Sequence, residues 1–480
     1  MIGHASSARN GRHEGIGGPR EVSGLRQLCR RRTAGVRSPR RRARRASRRR
    51  ASGGAAGPSE ACRSRLSGAR AGPGGLTVPR HRRIVVAGAS LAGIRTAETL
   101  RDRGFDGEIV LVGAEERLPY DRPPLSKTFL EGQASLDDIQ LLSGDQVAAL
   151  DLDLRLGQRA RALDPERRAL ELDGGETLRY DDLVIATGSA PWMPRDWDLY
   201  ESIYPLRTAE DGLALRSALQ GSPRVAVVGG GFIGCEVAST ARRLGCDVVQ
   251  IEPLTAPMAR VLGPEMALAC AEIPVAAGVR LVCGTAVEGF DGGARVERVR
   301  LRDGRTIEAD VVVVGIGARP VTDWLAGSGV NVSDGVLCDD RCATSVDGVY
   351  AAGDVARWFN PLFEQTMRIE HWTNASEQGA FVARALLEGR QAGSYAPVPF
   401  VWSEQYGVKI EIAGVPHPTD RIRIVEGTVA ERRFVALYER EERLTGVLAL
   451  NSTRSMLTFR RLLARTGSRG ERVDAPSNSS

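Results

Sequence analysis

The residues best suited to chemistry in this chain are glycines at fixed spacing, two acids that follow them, and one lysine. Gly229, Gly231 and Gly234 form a G-x-G-x-x-G run, and Glu252 stands 18 residues beyond the last of them. Gly88, Ser90 and Gly93 repeat the spacing with serine in the middle, and Glu115 follows Gly93 by 22 residues. Glycines so placed let a backbone turn tightly and approach a charged group, while a helix starting there offers free N–H groups and the positive end of its dipole. The chemistry that uses both is the holding of a pyrophosphate. An acid about 20 residues further on reaches ribose hydroxyls and repels a 2′-phosphate. Glu252 is followed by PLTAPM, without an adjacent arginine to receive that phosphate, so NADH is expected in preference to NADPH.

Such residues need a strand before the turn and a helix after it, and both copies supply them. RIVVAGASLAGIRTAETLRDRGFDGEIVLVGAE (Arg83 to Glu115) and PRVAVVGGGFIGCEVASTARRLGCDVVQIE (Pro223 to Glu252) each read as apolar strand, glycine turn, amphipathic helix, second strand and terminal acid. Each is a βαβ dinucleotide-binding unit in outline. Three further strands end in glycine turns. They are YDDLVIATGSAP (Tyr180 to Pro191), VVVVGIGARP (Val311 to Pro320, with Gly317) and GVYAAGDVARW (Gly348 to Trp358). The last places Asp354 where the ribityl hydroxyls of a flavin could be bound. The expected fold is α/β, with two Rossmann-like dinucleotide-binding domains.

Charge divides the 480 residues unevenly. Residues 1–80 hold twenty Arg, no Lys and three acids, a net +17, whereas the rest holds 46 basic and 56 acidic residues, a net −10. The whole-chain value of +7 therefore does not describe the part that can fold. The Arg-rich segment has no Phe, Trp or Tyr. It reads as a disordered extension over residues 1–82 or as sequence translated upstream of the true start. Without aromatics to stack bases it offers nucleic acid only salt-sensitive phosphate contact. Its arginine runs lead into no apolar segment of the kind an export signal needs, and no stretch approaches the roughly 20 apolar residues of a membrane span. The eight Cys are scattered, and no metal site is expected. These features point to a soluble, cytoplasmic protein. Lys127 and Lys409 are the only lysines beside 64 arginines. A lysine kept in such a chain suggests a site that needs a compact point charge, such as a flavin edge that gains negative charge on reduction.

The segments GASLAG, LPYDRPPLSK (Leu118 to Lys127), GGGFIGCE, ARVLGPEM (Ala259 to Met266), IEHWTNASEQG (Ile369 to Gly379) and FVWSEQYGVKI (Phe400 to Ile410) carry a family resemblance. Over about residues 83–465 the chain resembles the two-dinucleotide flavoproteins. More narrowly it resembles the NADH-dependent ferredoxin reductases that serve cytochrome P450 and ring-hydroxylating dioxygenase systems. The resemblance implies an FAD domain (83–200 and 330–397), an NAD domain (201–329), a C-terminal α+β domain (398–466) and a flexible tail (467–480). It implies that Ala92 and Gly93 meet the FAD pyrophosphate, with Gly88 and Ser90 in the same turn, and that Ala114 and Glu115 hold the adenosine ribose. Arg122 would lie near the phosphates, Ala160 at the adenine, Arg207 within reach of FAD, Asp354 on the ribityl chain, and Lys127 and Trp372 beside the flavin ring. Glu236 would point at the flavin and pair with Lys127 when nicotinamide is absent. Gly229, Gly231, Gly234, Glu252 and Gly317 would hold NAD.

The acceptor follows from an absence in sequence. Disulfide reductases of this fold carry a Cys pair beside the flavin, but here the segment reads RPPLSKTFLEG. The expected partner is a small iron–sulfur ferredoxin, most plausibly of the 2Fe-2S type. Hydride would pass from NADH to FAD and electrons would leave singly. A monomer or homodimer is expected. Rubredoxin reductase, NADH oxidase and monodehydroascorbate reductase activities share most of the motifs. A flavoprotein acting through nucleic-acid binding by its basic tail is the alternative of another class.

Overall fold

The computed structural model of this protein describes residues 82–466, so the expectations for the Arg-rich extension and for the tail 467–480 lie outside the described residues. The first sheet has five parallel strands in the order Val349–Ala351, Asp182–Ile185, Arg83–Ala87, Glu108–Val112, Leu152–Arg155. Its central strands are runs of Val, Ile and Ala with almost no exposure, as a parallel sheet covered on both faces demands. One face is covered by the helix Leu91–Asp102, which follows the first glycine turn, and by the long helix Trp372–Glu388. The other face is covered by the three-stranded antiparallel sheet Ala160–Asp164, Ala169–Leu172, Thr177–Arg179.

A second five-stranded parallel sheet repeats the plan in the order Arg280–Cys283, Asp247–Glu252, Arg224–Val228, Val311–Val314, Ile203–Tyr204. In both sheets the strand before the glycine turn lies centrally and the strand ending in the acid lies beside it. The chain crosses between the two units through an antiparallel pair, Ser189–Pro191 with Ala318–Pro320. The return comes earlier than the boundary at 329/330 implied by resemblance. Trp324, Leu325 and Val330 already sit in the core built by Leu170, Leu172 and Leu183, so the segment after Pro320 belongs to the first unit. A tryptophan with that much apolar surface is placed by the core that receives it.

The C-terminal part is a five-stranded antiparallel sheet, Phe400–Gln405, Val408–Gly414, Arg443–Leu450, Arg433–Arg440, Arg421–Thr428, with the helix Thr453–Thr466 on one face. Its other face packs on Leu262, Met266 and Cys270 of the inserted unit, and Tyr438 Oη donates to the Leu262 carbonyl at 2.8 Å. Among the described residues no helix is long and apolar enough to cross a membrane.

The helices Leu91–Asp102 and Trp372–Glu388 meet at backbone distance. A Cβ on Gly379 would fall 2.2 Å from the Ala92 carbonyl oxygen. Thr96 Oγ1 seals the contact by donating within bonding distance of both the Ala92 and the Gly379 carbonyls, at 2.8 and 3.1 Å. Gly379→Val must push the helices apart. The expected cost is about 2–3 kcal/mol of stability with loss of retained flavin, read by chemical denaturation and the absorbance of the purified protein. Unchanged values for both would refute the close-packing account.

Candidate functional site

Gly88 adopts φ +133°, and a Cβ there would fall 2.0 Å from the Ala186 carbonyl oxygen; a Cβ on Gly93 would fall 1.9 Å from the Gly88 carbonyl oxygen. These two glycines let the helix start directly on the sheet edge. Ser90 is the N-cap, yet its side chain makes no capping bond, which leaves the first-turn N–H groups, those of Ala92 and Gly93 included, without a side-chain acceptor. The cleft in front of this helix end is lined by Gly88, Ser90, Ala114, Glu115, Arg122 and Ala160, six of the expected FAD-site residues. Ala92 and Gly93 stand just behind it, Ala92 against Gly379 and Gly353, and Gly93 against Gly88 and Leu111. Glu115 is held by Arg122 Nη2 at 2.7 Å and by Tyr120 Oη at 2.5 Å, and Arg122 Nη1 also donates to the Arg207 carbonyl.

Further expected residues are brought together by the first sheet and the long helix. Asp354 accepts from Arg207 Nη2 at 2.8 Å and from Ser189 Oγ at 3.0 Å. Buried Gln378 fixes the turn before it by accepting from the Gly353 N–H at 2.9 Å. The long helix begins at Trp372 with no side-chain cap. His371, just before it, is pushed down to about 4 by desolvation, which outweighs the opposing pull of Asp354. Arg122 Nε, Arg207 Nε and His371 Nδ1 are buried without hydrogen-bond partners. Buried polar atoms are ordinarily paired. An uncapped helix end, unpaired arginine and histidine nitrogens and an acid at a strand end suit an elongated polar anion, and FAD fits that donor set.

Lys127, Glu236 and Trp372 come from three distant segments. Lys127 Nζ lies 2.6 Å from Glu236 Oε2 and 3.1 Å from the Pro123 carbonyl. Glu236, only 4% exposed, also accepts from Ser126 Oγ at 2.5 Å and from Ser403 Oγ at 2.6 Å. Trp372 Nε1 donates to Asp121 Oδ1 at 2.6 Å, and its ring meets Trp402 edge to face at 5.8 Å. Burial raises the Asp121 pKa; the Trp372 bond and the nearby charges of Arg95 and Lys127 oppose that rise. Asp121, Ser126, Gln378, Trp402 and Ser403 were not among the expected site residues. The first two lie inside LPYDRPPLSK and could have been taken from that motif, whereas nothing in spacing joins Ser403 to Glu236, 167 residues away.

The second glycine turn repeats the first. Gly229 has φ +109°, with Gly315 O 2.3 Å from a would-be Cβ; Gly234 packs on Gly229; Gly231 is the N-cap of the helix Phe232–Arg243 and faces open space, as does Gly317. Glu252 is buried, with Oε2 accepting from the Gly230 N–H at 2.6 Å and Oε1 from the Leu254 N–H at 2.9 Å. Its charge thus stands at the turn itself. Cys235 is fully buried, with desolvation raising its thiol to about 12, and it bonds to the Gly230 carbonyl and Gln250. It is a packing residue, as a thiol so far from ionising is no nucleophile.

Two nucleotide-binding turns, one serving a cleft that suits FAD, define a flavin- and nicotinamide-type oxidoreductase. A profile described as pyridine nucleotide-disulphide oxidoreductase matches residues 82–379, and one described as reductase C-terminal matches 400–476. The chain belongs to the pyridine nucleotide-disulphide oxidoreductase family and is an FAD-dependent oxidoreductase. It is 38% identical over 392 residues to the anthranilate 1,2-dioxygenase system ferredoxin–NAD(+) reductase component of Burkholderia cepacia, covering 79% of this chain and 94% of that one. It is 34% identical over 375 residues to putidaredoxin reductase of Pseudomonas putida, covering 77% and 88%. The crystal structure of a covalent putidaredoxin reductase–putidaredoxin complex superposes with a TM-score of 0.76 at 31% identity, covering 80% of this chain and 93% of that one.

The depressed His371 pKa has a pH signature. The folded state keeps the ring neutral down to about 4, while the unfolded chain protonates near the ordinary 6.5, so stability is full above pH 6.5 and declines as pH falls toward 4. At the limit the decline attributable to this residue is about 3 kcal/mol. Thermal midpoints measured from pH 7 to 4 should show a shallower fall for His371→Gln than for the wild type, and parallel curves would count against the buried neutral ring.

Proposed function

We propose that this protein is an NADH:ferredoxin reductase that passes electrons to a small 2Fe-2S ferredoxin of an oxygenase system, whether of cytochrome P450 or ring-hydroxylating dioxygenase type. The observation that carries the reading is the aromatic exit beside the Lys127–Glu236 pair, formed where a disulfide reductase would need cysteines and this chain has none. Trp372 meets Trp402, Phe400 stacks on Trp402 with centroids 6.3 Å apart, and Arg460 stands 4.8 Å over the Phe400 ring. The names of the relatives support the same acceptor class and the use of NADH.

FAD, when bound, supplies the exchange between a two-electron donor, NADH, and a one-electron acceptor. The chain's residues do the rest. The uncapped turn at Ser90 and the turn at Gly231 hold the two pyrophosphates, and Glu115 and Glu252 mark the two riboses. Asp354 and Arg207 would hold the ribityl and phosphate groups, and Gly317, which faces open space, would leave room for the nicotinamide nucleotide. Lys127 places a compact positive charge at the ring edge, where electrostatic stabilisation lowers the barrier to reduction. Trp372, held by Asp121, would stand beside the ring. The helix Thr453–Thr466 carries Arg454, Arg460, Arg461 and Arg465 and no acid, an exception within an acidic folded chain. Its charge beside Phe400 and Trp402 suits an acidic ferredoxin, which net charge alone would repel. Among the described residues the cysteines are free, and buried Cys235, Cys270 and Cys342 have their thiols raised by desolvation, which accords with a reducing, cytoplasmic setting.

The purified protein should be yellow, bleach with NADH without air, and reduce cytochrome c only when a 2Fe-2S ferredoxin is added. Equal cytochrome c reduction without ferredoxin, or thiol-disulfide turnover, would overturn the acceptor assignment. Arg460→Glu with Arg461→Glu should raise the KM for an acidic ferredoxin about tenfold at low salt, the difference shrinking at high salt. An unchanged KM would remove this helix from the docking surface.

A further inference from the structure

The strand Phe400–Gln405 serves two neighbourhoods at once. Side chains alternate between the faces of a strand. Phe400 and Trp402 stack on each other and Trp402 meets Trp372, whereas Ser403 points the other way into the inserted unit. Ser403 has no exposure, and its Oγ accepts from Gln405 Nε2 at 3.0 Å, which leaves its hydroxyl proton for Glu236 Oε1 at 2.6 Å. The other carboxylate oxygen, Oε2, takes Ser126 and Lys127. Three residues further on, the Tyr406 N–H donates to Ser239 Oγ at 2.8 Å, so one short segment grips the helix Phe232–Arg243 on successive turns. On its remaining side that helix is tied to the first unit through Thr240 Oγ1, which donates to the Ser126 carbonyl at 2.8 Å.

We propose that Ser403 is a positioning residue for the reduction of flavin by NADH. It acts through Glu236. By engaging Oε1 from the C-terminal sheet, it fixes the carboxylate in the orientation in which Oε2 holds Lys127 Nζ, and so sets where that positive charge stands. Without it the carboxylate keeps donors on one oxygen only and can rotate, carrying Lys127 with it. The proposal rests on the reading above that Lys127 and Glu236 border the flavin and the nicotinamide.

The test compares wild type, Ser403→Ala and Ser403→Thr as flavin-loaded proteins. Rapid mixing with NADH under anaerobic conditions gives the limiting rate of flavin bleaching and the NADH concentration for half-maximal rate. Titration with NAD+, followed by the flavin spectrum, gives binding without turnover. Ser403→Ala should lower the limiting rate about tenfold, the size expected for losing one hydrogen bond to a charged group, with NAD+ affinity changed less than twofold. Ser403→Thr, which keeps the hydroxyl, should return the rate to within about threefold of wild type. A limiting rate in Ser403→Ala within twofold of wild type overturns the proposal, as does a Thr variant as slow as Ala. If Ser403→Ala fails to retain flavin, the Thr variant decides alone: recovery supports the hydroxyl's role and slow reduction overturns it. A wild-type protein that holds no flavin or is not bleached by NADH refutes instead the functional reading beneath.

Discussion

A carboxylate buried to the degree of Glu236 must be given donors or lose its charge, because the interior cannot replace water's solvation of an ion. The donors come from Ser126 and Lys127 of the first unit and Ser403 of the C-terminal sheet, while Glu236 itself lies one turn into the helix that starts at Gly231. Satisfying one charge therefore fixes three parts of the chain against each other. The apolar contact between the C-terminal sheet and Leu262, Met266 and Cys270 supplies area but little direction. Hydrogen bonds to a single carboxylate supply the direction. The helix that follows the second glycine turn is thereby held against Lys127.

The same reasoning separates what was legible in the chain from what was not. Both glycine turns were readable because strand, turn, helix and acid lie within some 35 residues, and close approach forces glycine at Gly88 and Gly229 whatever the surroundings. Long-range pairing was not readable. Gly379 looks like one glycine among many until its missing side chain is seen to admit the Ala92 carbonyl, and Ser403 looks like any strand serine. The packing of Trp324 was hidden for a related reason: it answers to a core formed by Leu170, Leu172 and Leu183, far back in the chain. Glu252 was placed correctly at the strand end; that it would bond back to the Gly230 N–H required the turn's three-dimensional shape.

Charge gives a further case. The acidic balance of residues beyond 80 argues against an acidic partner only if charge is spread evenly, and it is not. Four arginines lie on one C-terminal helix, one of them, Arg460, over Phe400 of the aromatic exit, and screening within about 10 Å makes local charge, not the net charge, what an approaching protein meets at close range.

The lysines refine the sequence argument most. A retained lysine among 64 arginines suggested a flavin edge, but both lysines share a different property. Lys127 pairs with Glu236 and Lys409 with Glu411, glutamates whose side chains are 5% and 3% exposed. Lys409 lies in the C-terminal sheet, on the strand Val408–Gly414, and Glu411 is further satisfied by Thr453 Oγ1 at 2.6 Å. Arginine neutralises buried carboxylates here as well: Arg440 pairs with Asp420, whose side chain is unexposed and already accepts from Thr445 Oγ1, so a buried acidic partner is not by itself what keeps a lysine. The two lysines differ in their own burial, the Lys127 side chain being 19% exposed and that of Lys409 37%. Lys127 stands where three segments of the chain meet because Glu236 does, and that glutamate, one turn beyond Gly231 and facing Ser126, turns a packing requirement into a fixed positive charge.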